Sequence, residues 1–296
     1  MSLRPLAVSV VLAAALLGAN VLRDGSGAVL PDPAPDPTPA TAVRPSATPA
    51  ASVAPGSASG APTPPPARTP DGPVTAADRF RTWENGPRRE KLVALTFDDG
   101  WNGRILRRLV AILEAKDAPA TFFPVARAVQ RNPETWRAIA AAGYPIGNHS
   151  WNHDDLTKGK SSKAAKDIVR ATRAIETVTR EPLFAAIRPP YGLSDKSFLA
   201  GAQAAGMQAV IMWDLDTRDW TGRPASQVVK AAMDAKPGSI IVLHTDKSNT
   251  VKALPKIIDG LRARGFRLVT VGQLIGLPGP VPQFEDRALR DAQRGR

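Results

Sequence analysis

Short apolar runs rich in β-branched and aromatic residues alternate along the chain with longer stretches of helical periodicity. Between most of the runs, apolar residues recur at helical spacing, as in residues 105–113 and 168–178. The runs have the length of buried strands, and seven of them cover residues 92–97, 120–125, 144–147, 184–187, 208–213, 239–243 and 267–271. This alternation predicts parallel strands with helices packed on their outer faces.

Signals for the ends of helices agree with this alternation. Asn132 precedes Pro133 and Glu134, so we expect a helix to begin there with a capping side chain, a proline and a first-turn carboxylate. Three glycines stand where helices should end and predict a left-handed backbone: Gly143, Gly206 and Gly265.

The number of strand–helix units and the glycine pattern narrow the choice of α/β fold. No Gly-x-Gly-x-x-Gly sequence follows the first strand, as a dinucleotide-binding sheet would require. Seven units therefore favour an α/β fold of the incomplete (β/α)7 barrel type, with catalytic residues at the C-terminal ends of the strands. We predict that this domain spans residues 91–276.

The start of the chain has the pattern of an export signal. Residues 6–22 are a run of 17 mostly apolar residues that follows Arg4, the order of charge and hydrophobicity found in secretory signals. A membrane-spanning helix needs about 20 apolar residues, so the run is just short of that length. We expect residues 1–22 to be a signal peptide or an N-terminal membrane anchor, and the chain to be exported, either secreted or held at the cell surface facing the cell wall.

Proline dominates the segment after this run. Residues 31–73 hold 14 of the 29 prolines, mixed with alanine, serine and threonine. Such a sequence offers few large apolar groups to bury, so residues 23–90 are predicted to be a disordered linker. A spacer of this kind would suit an enzyme that must reach into a cell wall, although a passive leader has the same composition. Residues 277–296 are predicted to be a basic flexible tail.

Composition excludes several kinds of chemistry. The chain has 296 residues and no cysteine, which rules out disulfides, thiolate zinc sites and a cysteine nucleophile. Its net charge of +12 lies entirely in residues 74–296, because residues 1–73 carry equal numbers of acidic and basic groups. That charge favours anionic surroundings, but ordinary surface charge explains it equally well. With 5% aromatic residues and no nucleic-acid-binding motif, we expect no nucleic acid partner.

Unusual polar clusters follow five of the predicted strands. Catalytic groups of parallel α/β folds lie beyond the C-terminal ends of strands, so these clusters predict an active site. They include all three histidines of the chain, and their sequences are TFDDG at 96–100, NHSWNH at 148–153, RPPYG at 188–192, WDLDTRDW at 213–220 and VLH at 242–244.

The histidine spacing and the paired carboxylates predict a metal site. His149 and His153 are four residues apart, so both imidazoles can point at one ion, and Asp98 or Asp99 can supply a third ligand. Three ligands with an open position for water are typical of catalytic metal sites. The other carboxylate would then be placed to accept a proton, and Arg188 could hold it in position.

In the same order along the chain, the five clusters resemble those of the polysaccharide deacetylase family, also called the NodB-homology domain or carbohydrate esterase family 4. The resemblance covers about residues 90–276. It implies a distorted (β/α) barrel and a divalent-metal hydrolase, usually zinc-dependent, that removes acetyl groups from sugar polymers. The expected partner is therefore a polysaccharide substrate such as peptidoglycan or chitin.

Matching the motifs residue by residue implies a separate role for each residue around the metal. By this resemblance Asp98 would be the general base and Arg188 its partner. Asp99, His149 and His153 would be the metal ligands.

The resemblance also implies residues for the leaving group and the substrate. His244 would be the general acid that protonates the leaving amine, and Asp219 the carboxylate that orients it. The backbone amide of Tyr191 would help to hold the oxyanion, and Trp220 and Leu243 would line a slot for the acetyl methyl group.

Two features depart from the family pattern or add to it. Trp101 stands where many members have proline, and Trp151 and Asn152 place a further aromatic group near the cleft. Three other functions stay open at this point: an O-acetyl esterase acting on polysaccharide, a catalytically silent wall-binding module, and a metal-dependent phosphohydrolase.

Overall fold

The computed structural model describes residues 80–279. The predicted signal or anchor at residues 1–22, the linker up to residue 79 and the tail from residue 280 lie outside the described residues. None of the helices described between residues 80 and 279 has the length and hydrophobicity needed to span a membrane.

Short strands and helices alternate through the described residues. The strands are β1 (Arg81–Trp83), β2 (Leu92–Asp99), β3 (Thr121–Pro124), β4 (Ala186–Ile187), β5 (Ala209–Ile211), β6 (Leu215–Asp216), β7 (Ser239–His244) and β8 (Arg267–Val269). The helices are α1 (Gly103–Ala115), α2 (Ala126–Arg131), α3 (Pro133–Ala141), α4 (Ser161–Thr179), α5 (Lys196–Ala204), α6 (Ala225–Ala232), α7 (Ser248–Ala263) and α8 (Val271–Ile275). Single 3₁₀ turns lie at Pro190–Gly192 and Asp219–Thr221.

All pairings between these strands are parallel, and they form two sheets. One has the order β3-β2-β7-β6, with β8 also paired to β2, and the other has the order β1-β5-β4. Isolated parallel bridges from Phe122 to Ile146 and from Asn148 to Ile187 connect the two sheets through residues 146–148. The molecule is therefore a distorted, incomplete α/β barrel, which confirms the predicted fold class.

Alternation along β2 directs the first candidate residue into the barrel. Val93, Leu95 and Phe97 lie in the main hydrophobic core, which also contains the apolar faces of α1 and α7. Ala94 lies in a second core with residues from β5, β7 and β8. Because side chains of a strand alternate between its two faces, Asp98 shares the face of Ala94.

The domain begins earlier than predicted. β1 lies within the predicted linker at residues 23–90, yet it pairs with β5 over three residues, and the amide of Met212 donates to the carbonyl of Trp83 at 2.8 Å. The amide of Gly86 donates to the carbonyl of Gly238, also at 2.8 Å. A three-residue strand is too short to show a hydrophobic period, so the sequence pattern did not separate it from the linker.

Two further details differ from the sequence pattern. Residues 144–147 do not form a strand but make one bridge, from Ile146, while Tyr144 packs in the main core. The side chain of Asn132 does not cap the helix that follows; instead its Nδ2 donates to the carbonyls of Gly100 and Trp101, at 3.2 and 3.3 Å. It thereby ties the start of α3 to the turn after β2. The three predicted left-handed glycines are confirmed, with φ of 82° at Gly143, 82° at Gly206 and 80° at Gly265.

Candidate active site

The central strands bring two of the predicted residues side by side. β2 and β7 are parallel neighbours whose register pairs Asp98 with His244. The amide of Thr245 donates to the carbonyl of Asp98 at 3.1 Å, so the strand ends stay joined one residue beyond the pairing. A carboxylate and an imidazole that are 146 positions apart in the sequence therefore meet at one edge of the sheet.

A fully buried arginine fixes the Asp98 carboxylate. Nη1 of Arg188 lies 2.8 Å from Asp98 Oδ1 and 2.8 Å from the hydroxyl of Thr96, as predicted for the partner of this carboxylate. Its Nε and Nη2 donate to the carbonyls of Ile211 and Met212, both at 3.1 Å. Burial lowers the pKa of Arg188, and the Asp98 carboxylate opposes that effect. The other oxygen of Asp98, Oδ2, has no hydrogen-bond partner among residues 80–279.

The three predicted metal ligands converge. Potential ligand atoms of Asp99, His149 and His153 all lie within 4.8 Å of one another. Nε2 of His153 lies 3.8 Å from Asp99 Oδ1, and the two imidazole rings have their centroids 4.9 Å apart. One ion can therefore contact all three side chains.

Hydrogen bonds behind the ligands set their orientation. Nδ1 of His149 lies 2.7 Å from the carbonyl of Arg188, so we assign the proton to Nδ1 and leave the Nε2 lone pair for a metal. Asn148 Oδ1 accepts from the amide of Ser150 at 2.7 Å, and Ser150 Oγ accepts from the amide of His153 at 2.9 Å. The loop is thus folded back on itself so that both imidazoles face the same point.

Left-handed backbone is concentrated at this site. Seven non-glycine residues within 80–279 have positive φ, and four of them are at the site: Asp99, Ser150, His153 and Tyr191, with φ between 59° and 79°. Each such residue costs on the order of 1 kcal/mol, and backbones of this kind persist where the surrounding structure holds them. Gly100, at φ of 108°, cannot carry a side chain because a Cβ would lie 2.5 Å from Cζ2 of Trp136.

Burial shifts the pKa values of two of these ligands, Asp99 and His149, in opposite directions. It raises the pKa of Asp99 to about 6, with the charges of His244 and His153 opposing the rise. Burial lowers the pKa of His149 to about 3, so this imidazole is neutral at pH 7. A neutral imidazole, a second imidazole and a carboxylate are a donor set that fits a divalent metal ion.

A second buried ion pair joins Asp219 to His244 at the C-terminal end of β7. Asp219 Oδ1 is 2.7 Å from Nδ1 of His244, and its Oδ2 accepts from the amide of His244 at 2.8 Å and from the hydroxyl of Thr250. Burial alone would lower the pKa of His244, but the hydrogen bond and charge of Asp219 outweigh it and raise that pKa to about 9. Burial would raise the pKa of Asp219, but hydrogen bonds and charge from His244 and the Thr250 hydroxyl leave it below its ordinary value. At neutral pH the pair is an imidazolium and a carboxylate.

The predicted substrate residues have different surroundings. Tyr191 and Trp220 are exposed, at 57% and 38% of their surface, and the Tyr191 ring centroid lies 4.4 Å from that of His153. Leu243 is fully buried in the main core and pairs with Phe97 in the register of β7 and β2. Its role in lining an acetyl slot stays a prediction.

Several residues at the site carried no sequence signal of their own. Asp246 accepts from the amide of Asn102 at 2.8 Å and so fixes the turn after β2. Asn148, Ser150 and Thr96 lie inside the polar clusters, but nothing in the sequence pattern assigned a role to them. Thr250 lies outside the clusters and reaches the site only through the tertiary fold. Of the departures from the family pattern, Trp101 lies beneath the guanidinium of Arg131, 5.1 Å from its ring centroid.

Comparisons with known proteins agree with the geometry. The sequence profile of the family described as polysaccharide deacetylase matches residues 85–210, a range that includes Asp98, Asp99, His149, His153 and Arg188 but not Asp219 or His244. A peptidoglycan-N-acetylglucosamine deacetylase of Bacillus cereus is 37% identical over 201 residues, which are 66% of this chain and 93% of that protein. A chitooligosaccharide deacetylase of Bradyrhizobium is 32% identical over 197 residues, or 62% of this chain and 90% of that protein.

A solved structure shows the same fold. The crystal structure of BA3943 from Bacillus anthracis, described as a pseudoenzyme of carbohydrate esterase family 4, is 28% identical to this chain. The superposition has a TM-score of 0.62 and covers 65% of this chain and 68% of that one. Similarity in sequence and in structure thus extends over about two thirds of the chain.

Proposed function

This chain belongs to the polysaccharide deacetylase family and is a hydrolase of carbon–nitrogen bonds, and we propose that it is an exported, metal-dependent N-deacetylase of cell-wall peptidoglycan. The reaction would be hydrolysis of the acetamido group of an N-acetylated amino sugar to acetate and a free amine. Chitin-type oligomers would be the next candidate substrates.

One observation carries this proposal. The cluster of Asp99, His149 and His153 lies beside two buried ion pairs. The pair of Asp98 with Arg188 has a carboxylate oxygen that can accept a proton. The pair of Asp219 with His244 has an imidazolium that can donate one. Amide hydrolysis needs an acceptor for the proton of water and a donor for the leaving nitrogen, and the two pairs are placed to supply one each.

The donor set of the cluster favours zinc among divalent ions. Two imidazoles and one carboxylate are the ligands of many catalytic zinc sites, and His149 is neutral as a ligand must be. When bound, such an ion would lower the pKa of a water molecule to about 7 and polarise the acetyl carbonyl.

The remaining steps belong to the side chains of this protein. Oδ2 of Asp98 would take a proton from the attacking water, while Arg188 keeps Oδ1 occupied and the carboxylate in place. His244, which Asp219 keeps protonated, would give the proton on Nε2 to the amide nitrogen as the carbon–nitrogen bond breaks. Acetate leaves with the oxygen of the water, and the sugar keeps a free amine.

Peptidoglycan is favoured as the substrate by similarity and by charge. Of the two relatives compared, the peptidoglycan deacetylase has the higher identity, 37% against 32%. The excess of positive charge in residues 74–296 suits an anionic wall polymer. The apolar run at residues 6–22 supports export, which would place the domain outside the membrane.

Acetate release tests the proposal. The chain would be incubated with peptidoglycan, chitin oligomers and acetylxylan, each with chelator and then with zinc added back, beside the variant Asp98→Asn. We expect acetate from the N-acetylated substrates, no acetate after chelation, recovery with zinc and little turnover by the variant. Acetate from acetylxylan alone would make the chain an O-acetyl esterase, and no acetate from any substrate would make it a silent wall-binding protein.

A further inference from the structure

A groove on the outer wall of the barrel is not used by the proposed reaction. It has a volume of about 650 Å³ and lies between Gln130 of α2, Trp151 of the ligand loop and one face of α4. Ligand sites commonly have volumes of about 300–1,000 Å³. Ala165 and Val169 of α4 contribute an apolar wall.

The charged groups that line the groove are all cations. Lys166, Arg170 and Arg173 lie at helical positions i, i+4 and i+7 of α4, which places them in one row. None of these three side chains forms an ion pair with a carboxylate of residues 80–279. The charge of Arg170 acts on Asp167 of the same helix, but three cations face the groove and no carboxylate lines it, so the row keeps a net positive charge for an external anion.

The acidic residues of α4 are held by neighbouring loops instead. Asp167 Oδ1 accepts from the amide of Trp151 at 2.9 Å, and Glu176 Oε1 accepts from the amide of Leu183 at 3.0 Å. Both carboxylates thus satisfy backbone donors, and neither lines the groove.

A tryptophan of the metal-ligand loop holds one of the cations. The guanidinium carbon of Arg170 lies 3.6 Å from the centroid of the Trp151 ring. A guanidinium stacked on an aromatic ring keeps its edge available for hydrogen bonds, and that edge matches the two oxygens of a carboxylate. Trp151 lies between His149 and His153 in the sequence, so the groove begins at the loop that forms the active site.

We propose that this groove is a second binding site for the substrate polymer, in which Arg170, Arg173 and Lys166 bind carboxylates of peptidoglycan. Its apolar wall would contact the aliphatic parts of the peptide stems while the row of cations binds their acidic groups. This inference rests on the proposed function, because it takes peptidoglycan to be the polymer, and it assigns to the groove the choice of an anionic polymer over a neutral one.

Binding of the full chain to insoluble peptidoglycan tests the groove directly. The polymer would first be stripped of phosphate-containing polymers, and the double variant R170E/R173E would be compared with K252E/K256E. The control makes the same change of charge on exposed lysines of α7, which packs against α1 and α6 rather than beside the groove. An unchanged thermal unfolding midpoint would show that each variant is folded.

We expect R170E/R173E to bind peptidoglycan about tenfold more weakly than the wild type, because two favourable charge contacts become repulsive. We expect K252E/K256E to bind as the wild type does. Amidation of the peptidoglycan carboxyl groups should weaken wild-type binding by a similar factor, and binding to neutral chitin should change less than twofold in either variant.

Three results would overturn the inference. They are wild-type binding by R170E/R173E, no effect of amidation, and wild-type binding to unstripped but not to stripped peptidoglycan, which would make the groove a phosphate-polymer site. Failure of the proposed function looks different. In that case the wild type would release no acetate from peptidoglycan, whatever the groove binds.

Discussion

Replacing Asp219 by asparagine removes a charge that sets the protonation of His244 but keeps the shape of the side chain. An amide oxygen can still accept from Nδ1 of His244, which now lies 2.7 Å from Asp219 Oδ1. The amide nitrogen cannot accept from the two donors that share Oδ2, the amide of His244 and the hydroxyl of Thr250. We expect the variant to fold with a free energy of unfolding lower by about 1–3 kcal/mol, the cost of buried groups left unpaired.

The effect on catalysis can be worked out from the pKa. Asp219 helps to raise the pKa of His244 to about 9, and without it burial should return the pKa to its ordinary value near 6.5 or lower. The protonated fraction at pH 8 would fall from about 0.9 to about 0.03, a loss of about 30-fold in the acid form. At pH 6 both proteins would be mostly protonated. The loss of kcat/KM should therefore be about 20-fold greater at pH 8 than at pH 6.

Two measurements check this expectation in Asp219→Asn. One is the pH profile of kcat/KM for acetate release, with Asp234→Asn, an exposed carboxylate in the turn before β7, as the matched control. The other is an NMR titration of the imidazole nitrogens, which is practical because the chain has three histidines. If the alkaline limb of the profile stays near pH 9 in the variant, His244 is not the group that must be protonated.

The same pKa also makes stability depend on pH. The pKa of His244 is higher in the folded than in the unfolded chain, so its contribution is complete below about pH 6.5 and is lost as the pH rises through about 9. The wild type should lose about 3 kcal/mol of unfolding free energy over that range, and Asp219→Asn should lose much less. Equal losses in the two proteins would contradict the assignment of the raised pKa to this pair.

Other predictions concern the base, a metal ligand and the turn between them. Asp98→Asn should keep the metal and lose about 10²–10⁴-fold in turnover, since it removes a general base, whereas His149→Ala should lose the metal itself; elemental analysis and acetate release separate the two. Gly100→Ala should lower the free energy of unfolding by about 2–4 kcal/mol, because it combines a left-handed backbone with a Cβ placed 2.5 Å from Trp136 Cζ2. Gly206→Ala is the control in denaturant unfolding: its φ is also positive, at 82°, but nothing lies within 4 Å of the added Cβ, so only about 1 kcal/mol should be lost. Equal losses in the two glycine variants would refute the steric argument.

Much of the fold was predictable because buried parallel strands have a strong local signal. The runs at β2 and β7 are long, continuous and apolar, and the structure places strands at both. β1 and β6, with three and two residues, carry no period that a pattern can detect, and they form because neighbouring strands offer them hydrogen bonds. At residues 144–147 the composition is that of a strand, but the backbone makes one bridge and Tyr144 packs into the main core.

The site was predictable to the extent that its residues are contiguous. Strand ends are where polar residues stand out against apolar sequence, so the metal ligands could be proposed from the two clusters that contain them. Contacts that reach the site from outside these clusters could not be predicted in this way. Thr250 reaches Asp219 from α7, and Asn132 turns from its helix toward the turn after β2. Such contacts depend on how elements pack, which the local pattern does not contain.

The family resemblance implies which buried carboxylate would do which task, and the partner of each carboxylate gives a physical reason for that assignment. Asp98 is paired with a guanidinium that stays protonated at any physiological pH, so the pair has no proton to give and Oδ2 can only accept one. Asp219 is paired with an imidazole, which can release its proton from the ring nitrogen that faces away from the carboxylate. Exchanging the partners would exchange the tasks, although neither carboxylate would change in residue type. The proposed roles of base and acid therefore rest on the loops that deliver Arg188 to one strand end and Asp219 to the other.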